Sequence, residues 1–267
     1  LQCRDQSVGA GQHARLLILT RQVSGLAHMK LLVFQHIGCE HPGIFRQFFD
    51  EARIDWDVVK LDAGEQIPPL ERFDALWVMG GPMDVWDTDS CPWLVPEKEA
   101  IRRWVQTLKK PFLGLCLGHQ LLADSLGGTC GWTDKPEIGI LDVDLAGEAK
   151  DDPLLRGVDA SIKCLQWHSV SVTTPPAGAL LLASSPDCQW QAMRVGKNAW
   201  GLQFHVELQE STVQEWSEVP AYAEALEKAK GCSALAEMKR DANALMPEFN
   251  RNARVIFDNF TEVMRRF

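Results

Sequence analysis

The sequence predicts an α/β fold: an open, mostly parallel sheet flanked by helices, with an antiparallel extension and a C-terminal helical tail. Three observations support this prediction. Between residues 29 and 128, short apolar runs alternate with segments of helical periodicity, as βαβ crossovers require. Short strand-like runs separated by turn residues then continue to residue 205. From residue 208 onward the chain is charged, and its apolar residues have helical spacing.

The parallel part of the predicted sheet comes from the first half of the chain. We predict strands at Lys30–Ile37, Trp56–Leu61, Phe73–Met79 and Pro111–Leu115, and helices at His41–Ala52, Val95–Leu108 and His119–Leu126. In the first helix, Ile44, Phe45, Phe48 and Phe49 form the apolar stripe expected of a helix packed on a sheet. Pro96 suits the first turn of the second helix, where its missing N–H costs no hydrogen bond.

The antiparallel extension and the tail are predicted from the second half. We predict strands at Ile138–Leu145, Cys164–Val172, Ala179–Ser184, Gln189–Val195 and Trp200–His205, and helices at Glu210–Trp216, Ala221–Lys230 and Ala234–Phe267. Turn residues such as Pro175 and Pro176 separate the strands. The last helix carries apolar residues that suit docking onto the domain: Leu245, Phe249, Val255, Ile256, Phe260 and Met264.

Residues 1–28 differ from the rest of the chain. The segment begins with Leu1, and LQCRDQSVGAGQHA is polar and without pattern. We predict that the fold begins at Met29 and that residues 1–28 are an upstream extension; the alternative is a genuine edge strand at Arg15–Thr20. The predicted organisation is one domain over residues 29–208, with residues 209–267 forming a helical appendage packed on the same domain.

The composition is that of a globular protein with a full core. The chain has 267 residues, of which 46% are hydrophobic and 24% charged. A formal net charge of -9 argues against binding to nucleic acid or to an anionic membrane. The 8 cysteines are scattered without metal-ligand spacing, which fits a reducing, cytoplasmic compartment. No apolar run approaches the roughly 18 residues of a membrane span.

A cysteine lies at the centre of the most distinctive motif. Gly114 and Gly118 stand two residues either side of Cys116, between an apolar strand and a helix. This is the pattern of a nucleophile elbow, in which a tight turn lifts the nucleophile above the carboxyl end of the strand. The helix N-terminus favours the thiolate. The alternative is a buried cysteine in an ordinary strand–helix turn.

A cysteine nucleophile needs a base, and the sequence offers one. His205 ends the apolar segment GLQF, and Glu207 follows two residues later. Residues i and i+2 of an extended chain point to the same side, so Glu207 can orient the imidazole. The alternative is a surface His–Glu pair.

Acyl chemistry also needs donors for an oxyanion. We predict that the N–H of Leu117, just after the nucleophile, is one of them. The second candidate is Gly81 N–H in the Gly80-Gly81-Pro82 turn after another apolar strand, for which the alternative is a plain turn.

These motifs together resemble a known family. GLCLGHQLLADSLGG, MGGPMDVWD, QWHS and GLQFHVE, in their order and spacing, resemble the class I (triad-type) glutamine amidotransferases, in particular stand-alone proteins similar to the glutaminase domain of GMP synthase. The resemblance covers roughly residues 29–208 and implies a flavodoxin-like sheet. It implies a catalytic triad of Cys116, His205 and Glu207, and oxyanion donors at Gly81 and Leu117. It further implies that Gln120, Trp167, Ser169 and Val170 hold the glutamyl part of the substrate.

Two positions depart from the family pattern. Val206 stands where the family usually has proline, which removes no functional group. Ser169-Val170 stands where the family often has Gly-Asp, a difference at two of the positions expected to contact the substrate. Of the other histidines, His119 is a rival base that we expect to pack locally, and His168 is expected to be structural beside the pocket. Asp84 and Trp86 either shape the mouth of the site or lie in a solvated loop.

The resemblance implies hydrolysis of the γ-carboxamide of glutamine through a γ-glutamyl thioester, with no metal or organic cofactor. The substrate would be glutamine or a γ-glutamyl small molecule. Three alternatives stay open: an amidotransferase component with an ammonia-accepting synthetase partner, a free-standing γ-glutamyl amide or peptide hydrolase, and a non-catalytic regulatory protein with the same fold.

Overall fold

The computed structural model describes residues 29–267. The predicted extension at residues 1–28 and the candidate strand Arg15–Thr20 lie outside the described residues. Both therefore stay predictions, as does the division of the chain at residue 208.

The described chain forms a nine-stranded sheet. Its strands are β1 (Lys30–Gln35), β2 (Asp55–Lys60), β3 (Ala75–Val78), β4 (Phe112–Leu115), β5 (Thr129–Leu145), β6 (Ser161–Thr174), β7 (Ala179–Ser184), β8 (Ala192–Val195) and β9 (Ala199–Leu202). Their order is β2-β1-β3-β4-β9-β8-β7-β5-β6. Pairing is parallel from β2 to β9 and antiparallel from β9 to β6. The predicted α/β fold is confirmed, and its antiparallel extension is as broad as its parallel part.

Helices cover both faces of the parallel strands. They are α1 (Phe45–Ala52), α2 (Leu94–Arg103), α3 (Leu117–Ser125), α4 (Thr212–Ser217), α5 (Pro220–Lys230) and α6 (Ala234–Met264), and α2 continues as a π-helical segment over Trp104–Leu108. Alternate residues of β1 point to opposite faces. Leu31 and Val33 pack with α1 and α6, whereas Leu32 and Phe34 pack with α2 and α3.

Several element boundaries differ from the prediction by a few residues; β9, for example, ends at Leu202 instead of His205. Two elements begin four or more residues from the predicted start. Helix α1 begins at Phe45 instead of His41, because Gly43 adopts a φ of 51° and the preceding residues form a turn. Strand β5 begins at Thr129 instead of Ile138, although residues 129–137 lack an apolar alternation. This polar stretch pairs with β6 through backbone hydrogen bonds, with a register shift between Trp132 and Glu137.

The long helix α6 packs on the sheet. Phe260 meets the ring of Trp77 edge-on at 5.5 Å between centroids. Of the six residues predicted for its docking face, Phe249, Ile256, Phe260 and Met264 are buried, and Leu245 and Val255 are half-buried. Along residues 29–267, no helix combines the length and hydrophobicity that a membrane crossing needs.

Candidate active site

Cys116 lies in a strained turn between β4 and α3. Its backbone has φ 49° and ψ -103°, a region that residues other than glycine seldom adopt. Both flanking glycines are required by packing, since a Cβ on Gly114 would collide with the carbonyl of Gly118, and one on Gly118 with that of Val78. The elbow thus depends on close contact among β3, β4 and α3.

His205 and Glu207 lie beside this turn because β9 is the parallel neighbour of β4. His205 Nδ1 is 2.6 Å from Glu207 Oε1, and both side chains are buried. Val206 N–H donates to the other carboxylate oxygen at 2.9 Å. Proline, which the resemblance leads us to expect at this position, could not make that bond. The carboxylate is therefore held at both oxygens.

The imidazole of His205 also meets the thiol of Cys116. Burial opposes a charge on His205, but Glu207, the Cys116 sulfur and hydrogen bonds to both outweigh it and hold the pKa of His205 well above its ordinary value. The ring of Trp216 packs edge-on against the imidazole at 4.5 Å between centroids. These contacts therefore favour the protonated form of His205 beside the Cys116 sulfur.

A cavity of about 220 Å³ opens above Cys116. It brings together the other residues singled out from the sequence: Gly81, Leu117, Gln120, Trp167, Ser169 and Val170. The amide of Gln120 donates to Val170 O at 2.9 Å and to Gln203 Oε1 at 3.1 Å. Gln203 in turn donates to the Cys116 sulfur at 3.5 Å. These amides connect the cavity wall to Cys116.

The rival base His119 and the pocket histidine His168 differ in their surroundings. His119 is fully buried against the backbone of Gly201, and burial lowers its pKa to about 3, so it is neutral at physiological pH. His168 lines the cavity, with Nδ1 3.1 Å from Val170 O and Nε2 3.1 Å from Glu137 Oε2. His119 is thus unsuited to act as a base.

The mouth of the cavity carries a carboxylate and aromatic rings. Asp84 lines the cavity, and burial together with the nearby Asp87 raises its pKa to about 6. Trp86, which is half-exposed, packs against Trp132 with 6.1 Å between ring centroids. The segment after Gly80-Gly81-Pro82 therefore contributes to the entrance.

Two buried residues near the triad were absent from the prediction. The hydroxyl of Tyr222 donates to Glu40 Oε1 at 2.6 Å. A carboxylate oxygen of Glu40 lies within 4.8 Å of a ring nitrogen of His205 and of a carboxylate oxygen of Glu207. Burial raises the pKa of Glu40. One signal could have found it, since Glu40 follows β1 at the same carboxyl edge as Cys116. Tyr222 had no comparable signal.

Two buried groups combine side chains of metal-ligand type: Glu40, His205 and Glu207, and Glu137, His168 and Cys188. In the first, His205 is already paired with Glu207. In the second, both oxygens of Glu137 accept hydrogen bonds, from Ser185 and from Gln191. In each group, hydrogen bonds within the protein explain why these side chains lie close together.

Fold and site together define a class of protein. Residues 44–216 match the family model described as "Glutamine amidotransferase class-I". This chain belongs to the class I glutamine amidotransferase family.

Individual relatives agree with that assignment. The chain is 36% identical to a glutamine-hydrolyzing GMP synthase subunit from Sulfolobus acidocaldarius over 153 residues, 57% of this chain and 77% of that protein. It is 31% identical to Gamma-glutamyl peptidase 3 from Arabidopsis thaliana over 175 residues, 61% of this chain and 67% of that protein.

Solved structures share the whole architecture. A glutamine amidotransferase from Thermotoga maritima superimposes with a TM-score of 0.79 at 27% identity, covering 88% of this chain and 99% of that one. A glutamine amido transferase from Methylobacillus flagellatus gives a TM-score of 0.77 at 26% identity, covering 88% and 95%.

Proposed function

We propose that this protein hydrolyses the γ-carboxamide of glutamine, or of a γ-glutamyl compound, through a γ-glutamyl thioester on Cys116. One observation supports this above all others. The strained turn presents the Cys116 sulfur to an imidazole that Glu207 holds at 2.6 Å. A nucleophile, a base and a group that orients the base are what covalent acyl transfer requires.

The first half-reaction forms the thioester. The Cys116 thiolate attacks the γ-carbonyl carbon, and the π electrons of the carbonyl move to its oxygen. The N–H groups of Gly81 and Leu117, which line the same cavity, stabilise that oxyanion. As the tetrahedral intermediate collapses, the C–N bond breaks and His205 gives its proton to the departing nitrogen.

The second half-reaction releases the product. His205, now neutral, takes a proton from water, and the resulting hydroxide attacks the thioester carbonyl. The C–S bond breaks, glutamate leaves, and the thiolate and imidazolium are restored. Glutamine and water thus become glutamate and ammonia. Gln120, Trp167, Ser169 and Val170 line the cavity that would hold the glutamyl part.

Replacing Cys116 tests the mechanism. We expect Cys116→Ala to lower kcat for glutamine hydrolysis by at least about 10⁴-fold, because it removes the nucleophile of a triad that acts as a unit. Cys91→Ala, at a half-buried thiol outside the cavity, is the matched control and should keep wild-type activity. Intact-mass analysis after incubation with a glutamine-analogue chloroketone should show one adduct in wild type and none in Cys116→Ala. Full turnover by Cys116→Ala would contradict the proposal.

A second candidate substrate class is γ-glutamyl amides and peptides. It is favoured by the cavity lining, which includes Asp84, Trp132 and half-buried Ala225 in addition to the residues proposed to hold the glutamyl part. Similarity to Gamma-glutamyl peptidase 3 points the same way. Similarity to a glutamine-hydrolyzing component of GMP synthase instead supports an amidotransferase that passes ammonia to a synthetase.

A substrate panel separates these alternatives. Hydrolysis of γ-glutamyl peptides by the protein alone, with kcat/KM above that for glutamine, would support the free-standing hydrolase. Weak glutaminase activity that rises on addition of a synthetase would support the amidotransferase with a synthetase partner. Failure of Cys116 to react with the chloroketone would favour a non-catalytic regulatory protein.

A further inference from the structure

A second buried histidine–glutamate pair lies behind the Gly80–Gly81 turn. His36 directly follows β1, and Glu97 lies in the first turn of α2. His36 Nδ1 is 2.9 Å from Gly80 O, and Nε2 is 2.8 Å from Glu97 Oε1. Both side chains are completely buried, and neither lines the cavity. The reaction proposed above uses neither residue.

The chemistry of these contacts determines where the proton lies. A carbonyl oxygen only accepts, so Nδ1 of His36 must carry the hydrogen directed at Gly80. Burial opposes a charge on His36, but the Glu97 carboxylate and hydrogen bonds to Glu97 and Gly80 outweigh it and raise the pKa of His36. Glu97 therefore keeps His36 in a form that donates to Gly80 O.

The contact with Gly80 also determines the direction of the next N–H. The C=O of Gly80 and the N–H of Gly81 belong to one planar trans peptide unit and point in opposite directions. Since His36 binds the carbonyl on one side, the N–H of Gly81 points to the other. Gly81 itself lines the cavity, together with Cys116 and Leu117.

The turn contains no side chain that could hold this orientation. A Cβ on Gly80 would lie 2.6 Å from Glu40 Oε2, and one on Gly81 would lie 2.6 Å from Met83 Sδ. A side chain at either position would therefore displace a neighbouring side chain, and the glycines present have the least restrained backbone. A rotation of the peptide unit would turn the Gly81 N–H away from the cavity.

We propose that His36 and Glu97 are positioning residues that orient the Gly81 N–H toward the developing oxyanion. The inference rests on the proposed function, in which Gly81 stabilises that charge. It predicts an effect on the transition state alone, since the oxyanion forms only there.

Matched double variants isolate the hydrogen bond to Gly80. Glu97→Gln removes the buried charge and provides a common background. His36→Asn in that background keeps an amide donor near the position of Nδ1, whereas His36→Leu has similar bulk and no donor. We expect H36L/E97Q to have a kcat about 10- to 100-fold below that of H36N/E97Q, with KM within about threefold. Removal of an oxyanion donor itself costs about 10²- to 10³-fold.

Alkylation of Cys116 by iodoacetamide distinguishes positioning from general damage. This reaction displaces iodide at a saturated carbon and forms no oxyanion, so its rate reports on the thiolate and His205 only. Peptide mapping should show equal Cys116 alkylation rates in the two double variants, and their melting temperatures should agree within a few degrees.

The outcomes are separable. If the wild-type protein turns over substrate and the two folded double variants have equal kcat, this inference alone is overturned. Alkylation that falls in parallel with kcat, or a large difference in melting temperature, would assign His36 a structural role and also overturn it. Absence of wild-type turnover, with Cys116 still alkylated, would overturn the proposed function and this inference with it.

Discussion

Single residues determine the electrostatics of the cavity. His205 and Asp84 both have raised pKa values, for different reasons: charge partners outweigh burial at His205, whereas burial and Asp87 act together at Asp84. In the proposed reaction, the first shift favours a proton on the group that would protonate the leaving nitrogen. The second places the ionisation of Asp84 at a pH of about 6.

The titration of Asp84 predicts a pH-dependent KM. Below pH 6 this carboxyl is neutral, and above pH 6 it is anionic, so the cavity mouth becomes more negative as pH rises. For an anionic leaving group such as that of γ-glutamylglycine, we expect KM to rise about two- to fivefold between pH 5 and pH 7, by like-charge repulsion of about 1 kcal/mol.

The control for this prediction is Asp84→Asn, in which the rise of KM with pH should disappear. Glutamine, whose leaving group carries no negative charge, should show a smaller change in both proteins. Steady-state kinetics at several pH values measures KM for each substrate in wild type and in Asp84→Asn. A wild-type KM that follows the same pH profile as Asp84→Asn would contradict a role for Asp84 at the entrance.

At the scale of elements, the antiparallel extension and the tail complete a site that the parallel strands begin. Strand β4 leads to Cys116 and β9 leads to His205, but Trp167 and Val170 come from β6. Helix α5 contributes Ala221, Tyr222 and Ala225 to the cavity wall. The tail is therefore part of the candidate site as well as part of the packing.

Helix α5 offers a way to change substrate preference. Ala225 lies at the mouth of the cavity and is half-exposed. We expect Ala225→Trp to lower kcat/KM for γ-glutamyl peptides by about 10-fold or more, as steric exclusion from a pocket commonly does, and to affect glutamine less. Ala229→Trp, on an exposed part of the same helix, should leave both substrates unaffected. Equal losses on both substrates would argue that α5 does not contact the leaving group.

At the scale of the whole molecule, the terminal helix belongs to one buried cluster with both halves of the sheet, including Trp77 of β3 and Val143 of β5. Phe260 packs against Trp77 of β3 and Trp200 of β9, with centroid distances of 5.5 and 6.4 Å. Phe257 on the same helix contacts Phe45, Phe48 and Phe49 of α1. Residues far apart in the chain thus share one core, and we expect them to unfold together.

Removing one ring from this core tests that expectation. We expect Phe260→Ala to lower the free energy of unfolding by about 3–5 kcal/mol, because it leaves a cavity among large side chains. Phe267→Ala, at a residue that is 60% exposed, should change it by less than about 0.5 kcal/mol. Urea denaturation followed by circular dichroism and tryptophan fluorescence should give coincident transitions. Two separate transitions would instead support an independent C-terminal unit.

The sequence by itself determined what depends on local pattern. Alternation of strands and helices predicted the sheet, and the glycines around Cys116 predicted the elbow. The spacing of His205 and Glu207 predicted their pairing, because residues two apart in an extended chain face the same side. The start of β5 at Thr129 could not be predicted in this way, since backbone hydrogen bonds to β6 stabilise a stretch that has no apolar pattern.

Only the tertiary structure decided which distant residues meet. Glu40 and Tyr222 are 182 positions apart, and His36 and Glu97 are 61 apart. Their contacts depend on β1 lying beside β3 and on the packing of α2 and α5, which no spacing in the sequence encodes. The proposed nucleophile and base follow from short segments, whereas the groups that surround and orient them follow from strand order. The physical reason is that burial and hydrogen bonding act between neighbours in space.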